Sequence, residues 1–186
     1  MGANLKEVRE RIKSVVSTQQ ITKAMKMVSA AKLRRAQQAI VQLRPYSEKL
    51  NGMLTNILSN ISGDDSSVFN AEREAKSIAI VIVTSNRGLA GALNSNICKA
   101  ATELVKTKYA EALAANNVTF VTIGKKGNDY VKRVYKNAPV INDYVNAFSD
   151  LSFNNIAPIA SVLMDDFVAG KYDAIEIVYS KFKNAG

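Results

Sequence analysis

The chain has 186 residues, of which 47% are hydrophobic and 22% charged, and a formal net charge of +9 at pH 7. This composition suits one globular domain with an extension, and no apolar run reaches the roughly 18 residues that a transmembrane helix needs. Charged residues interrupt the N-terminus where a signal peptide would be apolar, so we expect the protein to start out in the cytosol. One cysteine excludes an internal disulfide, and the lack of histidine argues against zinc or histidine-based catalysis.

The positive charge is concentrated at the N-terminus. Residues 1–50 contain eleven Lys/Arg and three Asp/Glu, whereas residues 51–186 contain fourteen and thirteen. Basic surfaces attract acidic ones, so this segment is expected to meet an acidic protein, a nucleic acid or an anionic lipid.

Residues 1–58 are predicted to form one long coiled-coil helix. Positions spaced alternately by three and four form a seam that is apolar at both ends and polar from Gln19 to Ser29. Such a helix would be roughly 80 Å long, and its bare seam needs a partner helix. No second heptad helix is found in the sequence. The apolar seam residues expected to contact the partner helix are Leu5, Val8, Ile12, Val15, Leu33, Ile40, Leu43 and Leu50.

The polar middle of this helix allows two interpretations. Its polar residues could fix the register of a coiled coil. Alternatively, the outer face could contact a further partner, because methionine suits a surface that re-packs. Pro45 is expected to kink the helix or start a new segment, and residues 59–76 are expected to form a polar linker.

Residues 77–186 alternate between strand and helix patterns. This alternation predicts a small Rossmann-like α/β domain with a mostly parallel sheet. One helix, at about 154–168, is expected to have Pro158 in its first turn and Gly170 beyond its end. The predicted strands are 77–83, 118–123, 138–141 and 173–182, and the other predicted helices are about 90–109 and 125–136.

The sequence ends with "KNAG" directly after a predicted strand. This is turn chemistry that a hairpin partner should follow. The pattern therefore favours a chain truncated before further structure.

The loop after the first strand, "TSNRGLAGALN", is where an α/β domain would bind a nucleotide. It contains neither the dinucleotide-binding nor the phosphate-loop glycine pattern. Gly88 and Gly91 are better explained by a tight turn and close packing of helix on sheet. Arg87 is expected at the carboxyl edge of the sheet, paired with an acid or a partner chain.

The other reactive side chains do not form a recognisable site. The adjacent pairs Asp64–Asp65 and Asp165–Asp166 fit a solvated surface better than a metal site. Cys98 lies within a predicted helix and is expected to be a buried structural thiol. We therefore predict no catalytic residue, no metal and no cofactor, and a chain that is not an enzyme.

Two alternatives stay open at this point. One is a nucleotide-binding α/β domain with a coiled-coil arm. The other is a basic coiled-coil module that binds nucleic acid, although Tyr46 is the only aromatic residue in the basic segment.

Four stretches carry a resemblance to a known family. "LKEVRERIKSV", "TQQITKAMKMVSAAKLRRAQ" and "RPYSEKL", followed by "VTSNRGLAGALN", resemble the gamma subunit of F-type ATP synthases. The resemblance extends from the N-terminus through residue 182. The family more often has Asp where Asn86 stands and Cys where Ala90 stands.

The resemblance implies a non-catalytic rotor subunit of the central stalk. Its N-terminal helix would pair antiparallel with a C-terminal helix that this chain lacks, and the α/β domain would lie near the epsilon subunit and the membrane c-ring. Rotation would couple proton flow to ATP synthesis or hydrolysis in the beta subunits of the alpha–beta head, at the cytoplasmic face of the bacterial plasma membrane. It implies no nucleic-acid partner. A homodimer through the bare helix is a further expectation. The residues expected to face the beta subunits are Lys23, Met25, Lys26 and Met27.

Overall fold

The computed structural model describes residues 4–60, 69 and 73–183. It divides the chain into two units, Met1–Asp65 and Ser66–Gly186. The first unit is one helix, α1, spanning Leu5–Asn60. The predicted linker lies mostly outside the described residues.

Helix α1 continues without interruption through Pro45. Of the two predicted outcomes at Pro45, the start of a new segment is therefore wrong, and a kink stays a prediction. Proline removes only one N–H from the ladder of hydrogen bonds, and the helix-favouring residues on both sides maintain the rest. Within its unit α1 buries no residue, because a single helix has nothing to pack against.

The second unit is an α/β fold with a four-stranded sheet in the order β3-β2-β1-β4, in which every neighbouring pair is parallel. The predicted fold class is confirmed. The strands are β1 (Ile78–Val83), β2 (Val118–Ile123), β3 (Val140–Ile141) and β4 (Ala174–Val178). The helices are α2 (Leu93–Lys108), α3 (Ala110–Ala114), α4 (Lys125–Val134) and α5 (Phe153–Val168), with a short 3-10 turn at Ala147–Ser149.

Strand β1 is at the centre of this unit, and its side chains alternate between two apolar clusters. Ile78, Ile80 and Ile82 enter the cluster on the side of α2, α3 and α4. Val81 enters the cluster that contains Ile159 and Leu163 of α5. A strand buried on both faces requires the continuous apolar sequence that β1 has.

Several boundaries differ from the predicted ones. Helix α2 starts at Leu93 rather than near residue 90, because Leu89 and Gly91 have φ values of 60° and 57° that no right-handed helix accepts. Strand β4 ends at Val178 rather than at 182. Its last pair is with Ile82, and β1 ends one residue later at Val83, so residues 180–182 have no strand beside them to pair with.

Helix α5 has the C-terminus that the sequence predicts, but Pro158 lies in its second turn and not in its first. Gly170 has φ +74°, and its N–H donates to the carbonyl of Phe167 at 3.0 Å. The N–H of Lys171 donates to the carbonyl of Asp166 at 2.9 Å. These two bonds are those of a Schellman motif.

The residues just before β1 are attached to the end of α5. Arg73 Nη1 donates to the backbone carbonyl of Phe167 at 3.0 Å, and the Arg73 guanidinium lies 4.8 Å from the centre of the Phe167 ring. Asp173 Oδ2 accepts from the backbone N–H of Ser77 at 2.8 Å and of Lys76 at 3.1 Å. This end of the predicted linker is thus fixed to the sheet.

The edge strand β4 is connected to α2 through one carboxylate. Glu176 Oε1 accepts from Lys108 Nζ at 2.6 Å and from the Tyr109 hydroxyl at 2.7 Å. The hydrogen bond from Lys108, followed by that from Tyr109, lowers the pKa of Glu176. The same contact with Glu176 raises the pKa of Lys108.

The first prediction concerns the acid sensitivity of this contact. Because the pKa of Glu176 is lowered in the folded state, its stabilisation is complete above the unfolded glutamate pKa of about 4.3 and is lost as pH falls through the folded value. Glu176→Gln should reduce the free energy of unfolding by about 1 kcal/mol at pH 7 and by much less near pH 2. Urea unfolding across pH measures this. Glu74→Gln, at the exposed Glu74–Lys76 pair, is the control; equal losses at both positions would contradict the prediction.

The second prediction concerns Gly124, between β2 and α4. Its φ is +104°, and an added Cβ would lie 2.0 Å from the carbonyl oxygen of Thr84. Gly124→Ala should therefore lower the free energy of unfolding by about 3 kcal/mol. Gly88→Ala is the matched control, because its Cβ would meet nothing within 4 Å. If the Gly124→Ala protein were as stable as the Gly88→Ala protein, the backbone segments at Gly124 and Thr84 would be able to separate at little cost in free energy.

Candidate functional site

The predicted seam of α1 is a row of exposed apolar side chains. Leu5 is 71% exposed, Val15 63% and Leu43 63%, and of the eight predicted seam residues only Ile40 is half-buried. Exposed aliphatic side chains repeated along one helix face mark a surface for another helix. The seam is the first of two candidate interaction surfaces among the described residues.

The four predicted partner-binding residues are also exposed, but they do not share one face. Met25 is 58% and Met27 61% exposed, and Lys23 and Lys26 are exposed too. At about 100° per residue, Met25 and Met27 point about 200° apart. Lys26 belongs to the seam spacing itself. One flat partner surface cannot contact both methionines, so the role of the four residues as a set requires surfaces on at least two sides of the helix.

The loop after β1 caps the N-terminus of α4. Asn86 Oδ1 accepts from the N–H of Lys125 at 3.0 Å, and the carbonyl of Ser85 accepts from the N–H of Lys126 at 3.1 Å. Thr84 Oγ1 accepts from the N–H of Gly127 at 2.7 Å. These N–H groups are ones that an α-helix cannot satisfy internally and that bind phosphate in many nucleotide sites. Here protein acceptors occupy them.

The two loop glycines act only partly as predicted. Gly91 has φ +57°, as a tight turn requires. An added Cβ would meet nothing within 4 Å at either Gly88 or Gly91, so close helix–sheet packing is not their role. The glycines that permit close approach are Gly124 and Gly127, both against Thr84. The sequence analysis missed them because the contact joins segments about 40 residues apart.

The same loop exposes two side chains at the carboxyl edge of the sheet. Leu89 has φ 60° and is 102% exposed. A left-handed conformation costs a residue with a Cβ roughly 1–2 kcal/mol. Arg87 is exposed beside it, at the edge where it was predicted, and its carbonyl accepts from the Ser85 hydroxyl at 2.6 Å.

The remaining candidates show no assembled chemistry. Cys98 is buried in α2 as predicted, and burial raises the pKa of its thiol, against a smaller opposing effect of Arg133. Asp166 pairs with Lys171 at 2.7 Å, and Asp64–Asp65 lie outside the described residues. Among the residues that the structure describes, no group of three or more Cys, Asp or Glu is placed to hold a metal ion. Over the same ranges, no helix is long and apolar enough to cross a membrane.

A second candidate surface, which the sequence analysis missed, lies between α2 and α4. It is a groove of about 550 Å³ between the N-terminal half of α2 and the length of α4. Lys99 contributes from α2, and Lys126, Asp129 and Arg133 contribute from α4. The basic character of α4 was visible in the sequence, but its pairing with Lys99 was not.

Comparison with known proteins gives a consistent result. A family model described as ATP synthase matches residues 4–186. The ATP synthase gamma chain of Cytophaga hutchinsonii is 50% identical over 181 residues, which are 97% of this chain and 61% of that protein. The ATP synthase gamma chain of Flavobacterium psychrophilum is 50% identical over 183 residues, 98% of this chain and 61% of that protein. That of Chlorobaculum tepidum is 40% identical over 181 residues, with 97% and 61% covered.

The fold and its surfaces define an α/β protein with a long helix that exposes an apolar seam. With the match over residues 4–186, the resemblance is confirmed: the chain belongs to the ATP synthase gamma-chain family. It spans about three fifths of the length of the curated relatives it matches. The comparisons lend no support to the nucleotide-binding and nucleic-acid-binding alternatives.

The third prediction tests the cap at Asn86. Asn86→Ala should lower the free energy of unfolding by about 1 kcal/mol, because the N–H of Lys125 loses its acceptor. Asn86→Asp keeps the acceptor and adds a negative charge at a helix N-terminus, so it should match or exceed the parent by about 0.5 kcal/mol at pH 7. Thermal unfolding of both variants measures this. If Asn86→Ala left the free energy of unfolding unchanged while Asn86→Asp lowered it, the loop would not act as a cap.

Proposed function

We propose that this chain is the N-terminal part of a central-stalk rotor subunit of an F-type ATP synthase. The exposed apolar seam of α1, in a chain of the gamma family, carries this proposal. The subunit itself is non-catalytic. It couples proton flow through the membrane sector to ATP synthesis or hydrolysis in the beta subunits of the alpha–beta head.

The seam of α1 packs against a second long helix to form the shaft. Exposed aliphatic residues spaced by three and four match the interior of a two-helix coiled coil. The resemblance implies that the partner is an antiparallel helix from the C-terminal part of the full protein. Its contribution would stabilise α1, which has no apolar contacts with another element of its own unit.

Around the polar middle of the seam, α1 presents an uneven, basic surface to the alpha–beta head. Because Met25 and Met27 point in different directions, rotation would bring each one in turn toward different beta subunits. A shaft with unlike sides binds each subunit's conformations with different affinity, which biases them among nucleotide states. Lys23 and Lys26 add long-range attraction to acidic loops, and salt weakens this attraction.

The α/β unit forms the base of the stalk, beside the epsilon subunit and the membrane c-ring. The assembled protein is peripheral, on the cytoplasmic face of the bacterial plasma membrane. No cofactor or nucleic acid is required for this role. The chain alone would form a homodimer through the same seam, because pairing with a second copy also removes the aliphatic residues from water.

The fourth prediction tests the seam by supplying the partner helix. A synthetic peptide covering the C-terminal helix of the Cytophaga hutchinsonii gamma chain should bind the purified chain, as measured by titration calorimetry. Val15→Lys should weaken binding at least about tenfold, because it places a charge in the seam. Val16→Lys is the matched control, because the neighbouring residue points about 100° away; its affinity should change less than about threefold.

Light scattering gives the starting state of each titration. The chain should scatter at twice its mass of 20.2 kDa before the peptide is added, and as one chain plus one peptide afterwards. ATP hydrolysis by the chain alone should be undetectable. Equal weakening by the two lysine variants, or no binding at all, would refute the shaft assignment. ATP-induced stabilisation or steeply salt-dependent DNA binding would favour one of the alternatives.

A further inference from the structure

The groove between α2 and α4 carries unbalanced positive charge. Lys99, Lys126 and Arg133 line it together with a single carboxylate, Asp129. The ion pairs Glu74–Lys76, Lys108–Glu176 and Asp166–Lys171 all lie outside the groove. Three cations held close together repel one another and favour an acidic ligand.

The walls of the groove are fixed by contacts between the two helices. The hydroxyls of Thr102 and Tyr130 are 2.9 Å apart and join α2 to α4. Asn94 lines one end of the groove, and its side-chain amide donates to Ser85 Oγ at 2.8 Å, which ties the first turn of α2 to the capping loop. The lysine and arginine side chains therefore project from two helices that these hydrogen bonds hold in place. Little backbone ordering is needed when a ligand binds.

We infer that this groove binds an acidic segment of a partner protein. The inference uses no residue of α1 and goes beyond the rotor role, so either can fail while the other stands. Charge complementarity supplies the attraction, because three cations against one carboxylate leave an excess of positive charge for glutamate or aspartate side chains.

The lining favours a polypeptide over a phosphate chain. Asp129 would repel the closely spaced phosphates of a nucleic acid, whereas a polypeptide can offer N–H donors to it between its own carboxylates. The half-buried ring of Tyr130 adds apolar contact area.

The experiment uses the whole chain and a defined probe, a fluorescein-labelled 14-residue peptide of glutamates with two leucines. Fluorescence anisotropy at low salt measures its affinity. Lys126→Glu with Arg133→Glu should weaken binding at least about tenfold. The control variant carries Lys132→Glu and Lys136→Glu, which make the same change in net charge. Both residues are exposed, in or just after α4, and do not line the groove, so peptide binding should weaken less than about threefold.

A second readout locates the peptide on the parent protein and does not depend on the variants folding. Zero-length carbodiimide coupling followed by peptide mass mapping should place the adducts on Lys99 and Lys126. Adducts confined to the lysines of α1, or equal weakening by both charge-reversal pairs, would overturn the inference. Tighter binding of a polyphosphate or of single-stranded RNA in competition would also overturn it, in favour of a phosphate ligand.

Discussion

The burial of β1 on both faces is the constraint on which the α/β unit depends. Its isoleucines pack under α2, α3 and α4, and Val81 packs under α5, so both layers of helices are attached through one strand. Both neighbours of β1 are parallel to it, which brings all carboxyl ends to one edge. The loop that leaves β1 there reaches across to α4 and satisfies its first N–H groups. A helix N-terminus of the kind that can bind phosphate is thereby used for internal support.

Helix α1 contrasts with β1 in how little of it is buried. It is 56 residues long and buries none of its side chains within its own unit, although its apolar spacing is regular. Isolated helices gain little stability from propensity alone, so a regular exposed seam makes sense only with a partner. In the proposed rotor subunit, that partner is a second helix and the two together form a shaft. The groove between α2 and α4 is a separate and smaller surface, with polar rather than aliphatic attraction.

Some features of the site could be predicted from the sequence and others could not. The position of the loop after β1 followed from the strand–loop–helix pattern, and the burial of Cys98 followed from its helical neighbours. The cap on α4 did not, because Thr84 meets Gly124 and Gly127 across a distance in sequence that no local pattern spans. The same reason hid the meeting of Lys99 with Lys126 and Arg133.

By itself the sequence determined the elements and their class. Heptad spacing gave α1, apolar runs gave β1 and β2, and Gly170 gave the end of α5, because each depends on residues close together in the chain. Tertiary structure decided where β4 stops, which glycines are indispensable and which cations share a groove. Those outcomes depend on contacts between segments that are distant in the sequence. The length of β1 limits how far β4 can pair with it, and the carbonyl of Thr84 leaves no room for a side chain at Gly124.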